Sequence, residues 1–220
     1  ATGNIALQTN TTGDYNNAMG NRALRYNTTG DDNIAIGYEA AASLTEGQYN
    51  VFVGYTSGNN TTTGDKNTVV GYQVLGSSAG SAHTGDHNTA VGYQALTAQT
   101  GTSGTVGNTA VGYQAGYAIT KGRFNIAIGK TSLSAETIGD KSLAIGGGSM
   151  ASQIMGSDNL VSGNVGVGQD TGYFNVTGRN NTYLGYEAGA GVSGKSHNGC
   201  VFIGANAGLT AYTGNYNIAI

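Results

Sequence analysis

The chain has 220 residues, of which 39 are Gly and none is Pro or Trp, and only 10% are charged. Abundant Gly without Pro and without a strict period of three excludes a collagen triple helix, and the regular aliphatic pattern argues against disorder. The formal net charge of −3 argues against nucleic acid as a partner, and no apolar run is long enough to span a membrane.

One motif, N-x-A-[VI]-G, recurs along the whole chain with a basic period of 17 residues and insertions of 4, 3, 5 and 2 residues between some copies. Helical repeats and propeller blades need about 33 residues or more per unit. A unit this short instead suits one coil of a solenoid with two short strands and two turns. The sequence therefore predicts an all-β, parallel β-solenoid of about twelve coils, with residues 1–220 as a single repetitive segment.

The repeat pattern is incomplete at the C-terminal end of the sequence. The chain begins at Ala1 and stops inside a copy of the motif, at Ile220. We therefore expect the chain to be a segment of a longer fibre protein.

The Asn and Gly of the motif are the residues that we predict to be structural. Stacked Asn amides can hydrogen-bond from coil to coil, and an Asn can equally bond to the backbone of its own turn. Ser142 and Cys200 replace Asn in two copies, and we expect Cys200 to be a buried thiol. The structural set is Asn33, Gly37, Asn50, Gly54, Asn67, Gly71, Asn88, Gly92, Asn108, Gly112, Asn125 and Gly129.

A second Gly belongs to the T-G-D sequence that precedes the motif. We expect it to support a tight turn with positive φ. Nine of twelve copies have it, and the other three instead carry Gly directly before the Asn position, as Gly107, Gly163 and Gly199. This exchange indicates that the geometry of the corner is what the sequence maintains.

The residues between Asn and Gly alternate like a β-strand, with a small residue in the middle and aliphatic or β-branched neighbours. We expect neighbours such as Thr89 and Val91 to fill the coil, and small residues such as Ala90 and Gly92 to face outward. An outward apolar face needs a partner surface, and an identical chain is the simplest one. The residues thus predict a homo-oligomer.

With T-G-x-x in front of N-x-A-[VI]-G, the chain resembles the head repeat of trimeric autotransporter adhesins, the YadA-like head. DNIAIG at 32–37, FNIAIG at 124–129 and KSLAIG at 141–146 carry this resemblance. HNTAVGYQAL at 87–96 is more similar to repeats of bacteriophage tail fibres and related trimeric fibre proteins. The resemblance covers essentially the whole chain, and it implies a left-handed parallel β-roll, a homotrimer and display outside a cell or on a virion.

Two departures from the adhesin heads favour the fibre branch. The 17-residue unit is longer than theirs, and a Tyr follows the Gly in many copies. The resemblance then implies a structural or adhesive segment of an extracellular trimeric fibre that presents or performs attachment, with a host receptor or glycan as a further partner. The alternative is the head of a bacterial trimeric autotransporter adhesin. The Tyr residues concerned are Tyr38, Tyr55, Tyr72, Tyr93, Tyr113 and Tyr186.

The sequence contains no Ser-His-Asp set, nucleophile elbow or phosphate loop, and its acids follow the repeat period. We therefore predict no catalytic residues, no metal ligands and no cofactor. His83 and His87 lack further ligands at a zinc spacing. Aligned turn acids could either share Ca²⁺ or be solvated turn residues; these acids are Asp14, Asp31, Asp65, Asp86 and Asp140.

The binding residues themselves cannot be named from the sequence, but regions can. Insertions on a rigid solenoid vary freely and often carry recognition. They lie at 76–84, 97–105, 151–162 and 190–198. A Ca²⁺-binding or glycan-binding solenoid, the latter with the Tyr side chains as a sugar platform, is therefore a further alternative. Thr-rich turns such as NTTG at 27–30 also allow ice binding, although the Thr density falls after the first third.

Overall fold

The computed structural model describes residues 1–76, 82–100, 104–157, 160–210 and 214–220. Within these ranges the chain is all-β and has no helix, so no described segment is an apolar helix of membrane-spanning length. The chain divides into two compact units, Ala1–Asn108 and Thr109–Ile220. Each unit is a parallel β-solenoid, as the repeat predicts.

The strands of both units are two to five residues long. The first unit contains β1 (Asn17–Met19), β2 (Ile34–Ile36), β3 (Val51–Val53), β4 (Thr68–Tyr72), β5 (Gly85–Asp86), β6 (Thr89–Tyr93) and β7 (Gly104–Thr105). The second contains β8 (Thr109–Val111), β9 (Ile126–Ile128), β10 (Leu143–Ile145), β11 (Val165–Val167), β12 (Thr182–Leu184), β13 (Val201–Ile203) and β14 (Ile218–Ala219).

Strand pairing follows the repeat. In the first unit the order is β1-β2-β3-β4-β6, with β5 paired to β7, and in the second it runs from β8 to β14 without interruption. Every pair is parallel, and equivalent positions of successive repeats face each other, as Ala35 does with Phe52. The register holds across an insertion as well, since Val69 pairs with Ala90.

Among the described residues, the second strand expected in each coil does not form a regular strand of the main sheet of its unit. The segment after the motif Gly also bonds to neighbouring coils, but residues with positive φ interrupt it, such as Glu39 at 51° and Ala41 at 48°. Glu39 N donates to Asn21 O, and Ala41 N donates to Ser57 O, both over 2.9 Å. Coil-to-coil hydrogen bonding therefore continues around the corner without strand geometry.

The side chains of the strands point the opposite way from the sequence expectation: the small central residue lies inside the coil and its larger neighbours lie outside. Ala90 is fully buried inside the coil, whereas Thr89 and Val91 are only half-buried on the outside. In the same way Ile34 and Ile36 are 36% and 39% exposed around the buried Ala35. The small residue fills the interior because the 17-residue coil is narrow, and the larger neighbours must lie outside.

The narrow interior also limits the size of the residue that stands six positions after the strand centre, on the opposite side of the coil. Where the strand centre is Ala90, the opposite position holds the buried Leu96. Where the centre is Phe52, that position holds Gly58, and a Cβ added there would clash with the Phe52 ring. Large and small residues thus compensate within these coils. The same exchange pairs Tyr183 with Gly189 and Phe202 with Gly208.

The Gly of T-G-D does not have the positive φ that the sequence suggested. Positive φ occurs two residues later, directly before the Asn position, as at Asp32 and Lys66 with 55° each. Gly30 instead allows close approach, because a Cβ there would clash with Gly47 O. The three copies without this Gly place a Gly at the positive-φ position, and these are Gly107, Gly163 and Gly199, with φ of 61°, 61° and 64°.

Candidate functional site

The Asn residues of the structural set form a buried ladder. Asn50 Oδ1 accepts hydrogen bonds from Asn67 N over 2.9 Å and Asn67 Nδ2 over 3.1 Å, and Asn50 Nδ2 donates to Gly64 O over 2.9 Å. All three bonds join neighbouring coils, because Gly64 belongs to the turn before Asn67 and not to the turn of Asn50 itself. Of the two roles considered above, these bonds show the coil-to-coil role. The fully buried members are Asn33, Asn50, Asn67, Asn88, Asn108 and Asn125.

The Gly residues of the set allow the corners of successive coils to approach closely. Their φ values lie between 128° and 137°, a region that other residues essentially never occupy. At Gly37 a Cβ would also clash with Gly54 O of the neighbouring coil. These positions are Gly37, Gly54, Gly71, Gly92, Gly112 and Gly129.

The turn acids also bond within the protein. Asp65 Oδ1 accepts from Gln48 N over 2.8 Å, and Asp86 Oδ1 accepts from Asp65 N over 2.9 Å. Asn198 does the same with Arg179 N over 2.9 Å, so an amide oxygen can take the place of the carboxylate in this bond. Across the described ranges no three His, Cys, Asp or Glu side chains cluster in a way that would hold a metal ion.

Four Tyr rings stack along the outside of the first unit. The centroids of Tyr38 and Tyr55, and of Tyr55 and Tyr72, are 5.1 Å apart, and those of Tyr72 and Tyr93 are 5.3 Å apart. The interplanar angles are 14°, 8° and 5°. Because each inner ring covers the faces of its neighbours, those faces are not open to a sugar ring, and stacking between coils is their evident role.

His83 and His87 are not brought together. His83 is buried, with Nδ1 3.4 Å from Thr61 Oγ1, and burial lowers its pKa to about 4. The His87 side chain is exposed. Cys200 is a free, buried thiol, as expected, and its Sγ lies 3.3 Å from Gly214 O in the place of an Asn amide.

A polar cluster that the sequence did not reveal lies inside the second unit. Tyr183 OH lies 2.8 Å from His197 Nε2 and accepts a hydrogen bond from Asn175 Nδ2 over 2.9 Å. Burial lowers the pKa of His197 and raises that of Tyr183. The centroids of the Phe202 and His197 rings are 5.4 Å apart. All four side chains are buried, which marks the cluster as part of the core.

The four predicted recognition insertions differ in how far the structure describes them. Those at 76–84, 97–105 and 151–162 include residues 77–81, 101–103 and 158–159, which lie outside the described ranges. The fourth, at 190–198, is described completely. Its first two residues line an open cleft of about 440 Å³ in the second unit, whose lining consists of Asp170, Tyr173, Phe174, Glu187, Ala190, Gly191 and Leu209.

Two carboxylates and two aromatic rings meet at this cleft. Asp170 and Glu187 occupy the same position of successive coils, two residues after the motif Gly, and Glu187 N donates to Gln169 O over 2.9 Å. The Tyr173 and Phe174 rings meet edge to face, with centroids 4.8 Å apart and an interplanar angle of 78°. The cleft thus combines negative charge with an apolar wall.

The side chains that interact with the two carboxylates are neutral. Asp170 Oδ2 accepts from Gln169 Nε2 over 3.1 Å. The neighbouring Glu187 carboxylate and, to a smaller extent, the charge of Asp170 raise the pKa of Tyr186. Neither acid forms an ion pair with another residue of the described ranges.

Comparison of the chain with protein-family models, curated proteins and solved structures finds no match. A proposal for the function of the chain is therefore based on its own geometry and on the resemblance of its motif.

Proposed function

We propose that the chain is a structural and adhesive segment of an extracellular, homotrimeric fibre of the bacteriophage tail-fibre type, with left-handed coils. The observation that carries the proposal is the outer face of the motif strands. The two residues that flank each strand centre are exposed or half-buried in all twelve motif copies, and none of them is charged. We call this surface the outer strand face.

In each unit the outer strand face is mainly aliphatic, with some Thr and, in the first unit, one Asn, and a mainly apolar strand face is rarely left uncovered in water. A second copy of the same chain has the same spacing between strands, so its coils match those of the first copy one by one. Copies arranged about a common axis would cover each outer strand face with its equivalents. The number three comes from the resemblance to trimeric fibre and adhesin repeats.

The side chains that could serve chemistry are instead used to join coils. The buried Asn ladder, the turn acids and the stacked Tyr rings all make contacts between repeats. This supports a structural role and gives no support to an enzyme. The regular Tyr stack is also the feature by which we favour a tail fibre over the head of a bacterial autotransporter adhesin.

Sedimentation velocity over a range of concentrations tests the proposal. We expect one species at three times the 22.1 kDa mass of the chain. Replacing Ile36 and Ile126 by Glu puts charges on the outer strand face of each unit, where both residues are exposed. The like charges should raise the concentration needed for assembly by about tenfold or more, with an unchanged circular dichroism spectrum.

The control variant adds the same charges elsewhere. Tyr49 and Phe124 are exposed residues of the turns before the strands, so Tyr49→Glu with Phe124→Glu should assemble like the wild type. A wild-type chain that sediments as a stable monomer, or an unchanged assembly of the Ile36→Glu/Ile126→Glu variant, contradicts the proposal.

A further inference from the structure

We propose that the cleft of the second unit is a binding site for a methylated ammonium group, such as that of choline. The site consists of the Asp170 and Glu187 carboxylates and of the apolar wall formed by Tyr173, Phe174 and Leu209. It lies within one unit of a single chain, so this proposal does not depend on the trimer.

The first argument is charge. Successive parallel coils lie about 4.8 Å apart, so two acids at the same position of neighbouring coils repel each other. In the first unit the same position carries Glu39, and Arg22 of the adjacent coil neutralises it with an ion pair of 2.6 Å. Asp170 and Glu187 have no such base among the described residues. A cationic ligand would supply the missing positive charge.

The second argument is the apolar wall. A hydrated inorganic cation prefers a cage of oxygen ligands, whereas this cleft has aromatic rings and an aliphatic side chain beside its two acids. Aromatic rings attract cations through their π-electron faces, and methyl groups on the cation add apolar contact. A methylated ammonium group satisfies both kinds of lining at once.

The third argument is shape. The volume of about 440 Å³ lies within the range of small-molecule sites. Gly148 occupies the position of Asp170 one coil earlier, and an added Cβ there would clash with Asp170 Oδ1 and lie 3.5 Å from Tyr173 Cδ2. The Gly therefore leaves room for the Asp170 carboxylate beside the Tyr173 ring. This places the charge and the aromatic wall of the cleft next to each other.

Isothermal titration of the whole chain with choline tests the site, with the uncharged isostere dimethylbutanol titrated in parallel. We expect saturable choline binding that weakens as salt is added, and no binding of the isostere. Titration with phosphocholine and with phosphatidylcholine vesicles then shows whether the group is bound free, as a phosphate ester or on a lipid surface. Failure of choline to bind, or equal binding of the isostere, overturns the proposal.

Three variants locate the binding. Asp170→Asn and Glu187→Gln keep the shape of the cleft and remove one charge each, so each should weaken choline binding by about tenfold. Tyr173→Leu keeps the apolar volume and removes the ring, and it should also weaken binding. Glu46→Gln removes one charge from an exposed residue of the first unit and should bind like the wild type. Equal affinity of all four proteins places binding elsewhere and overturns the assignment.

Discussion

The side-chain amide of Gln153 donates a hydrogen bond to Ser142 Oγ over 2.7 Å, and its carbonyl oxygen accepts one from Asn164 Nδ2 over 2.8 Å. Ser142 occupies the ladder position in a copy of the repeat that lacks the Asn. Gln153 therefore reaches across the inside of the coil and reconnects the ladder at the gap. It also donates to the buried Glu136 Oε2 over 3.0 Å.

Gln153→Ala should lower the free energy of unfolding by about 2–4 kcal/mol, because it removes three buried hydrogen bonds, to Ser142, Asn164 and Glu136. Urea unfolding at a fixed protein concentration measures the loss. Gln48 is half-buried and its backbone N–H, not its side chain, bonds to Asp65, so Gln48→Ala should change stability by less than about 0.5 kcal/mol. Similar effects of the two variants would show that the Gln153 bridge is not important.

The repeat predicted the parallel stacking, because the 17-residue period aligns equivalent residues such as Ala35 and Phe52 wherever the chain turns. It did not predict which side of the strand is inside. Alternation defines two faces, and the choice between them depends on the volume of the interior. That volume is set by residues elsewhere in the coil, such as Gly58 opposite Phe52.

The motif could not predict the role of Gln153 or the lining of the cleft, for a related reason. Gln153 follows a copy that had lost its Asn, and only the folded coil places its amide between Ser142 and Asn164. Asp170 and Glu187 stand at a position where other copies carry Gln, Thr, Arg, Asn, Gly or Glu. Whether such an acid is neutralised depends on the side chain at the same position of the neighbouring coil.

Gly146 and Gly147 are adjacent but should respond very differently to Ala. Gly146 has φ of 130°, and a Cβ there would clash with Gly168 O, whereas a Cβ on Gly147 meets only Lys130 O at 3.9 Å. Gly146→Ala should therefore destabilise the protein by about 3 kcal/mol or more, and Gly147→Ala by less than about 1 kcal/mol. Melting temperatures of the two variants test this, and equal losses would exclude a specific requirement at the motif Gly.

Substitutions of Asp65 distinguish a structural role of the turn acids from a role as calcium ligands. Asn can accept the hydrogen bond from Gln48 N just as Asp65 Oδ1 does, and Asn198 already has this role in another coil. Asp65→Asn should thus change stability by less than about 0.5 kcal/mol, while Asp65→Ala should cost about 1 kcal/mol. Melting curves with Ca²⁺ and with a chelator complete the experiment. A Ca²⁺-dependent stabilisation that Asp65→Asn abolishes would show that the acid binds metal.

His83 should make the first unit sensitive to acid. Its side chain is fully buried, Nε2 has no hydrogen-bond partner among the described residues, and an added Cβ on Gly85 would lie only 3.3 Å from that nitrogen. Burial disfavours the charged ring and lowers the pKa of His83 from 6.5 to about 4. The unfolded chain therefore binds a proton at a higher pH than the folded chain does.

Stability should consequently fall as the pH is lowered from about 6.5 towards about 4, by about 1.4 kcal/mol per pH unit for this one group. His83→Gln removes the titrating ring. The difference in unfolding free energy between the variant and the wild type should hence move by about 2–3 kcal/mol in favour of the variant between pH 6.5 and 4.5. Taking the difference cancels the acids that both proteins share, and it also cancels any constant cost of losing the contact with Thr61. A difference that stays constant with pH would mean that the folded protein admits a proton to His83 as readily as the unfolded chain does, and that the ring is not held in a dry interior.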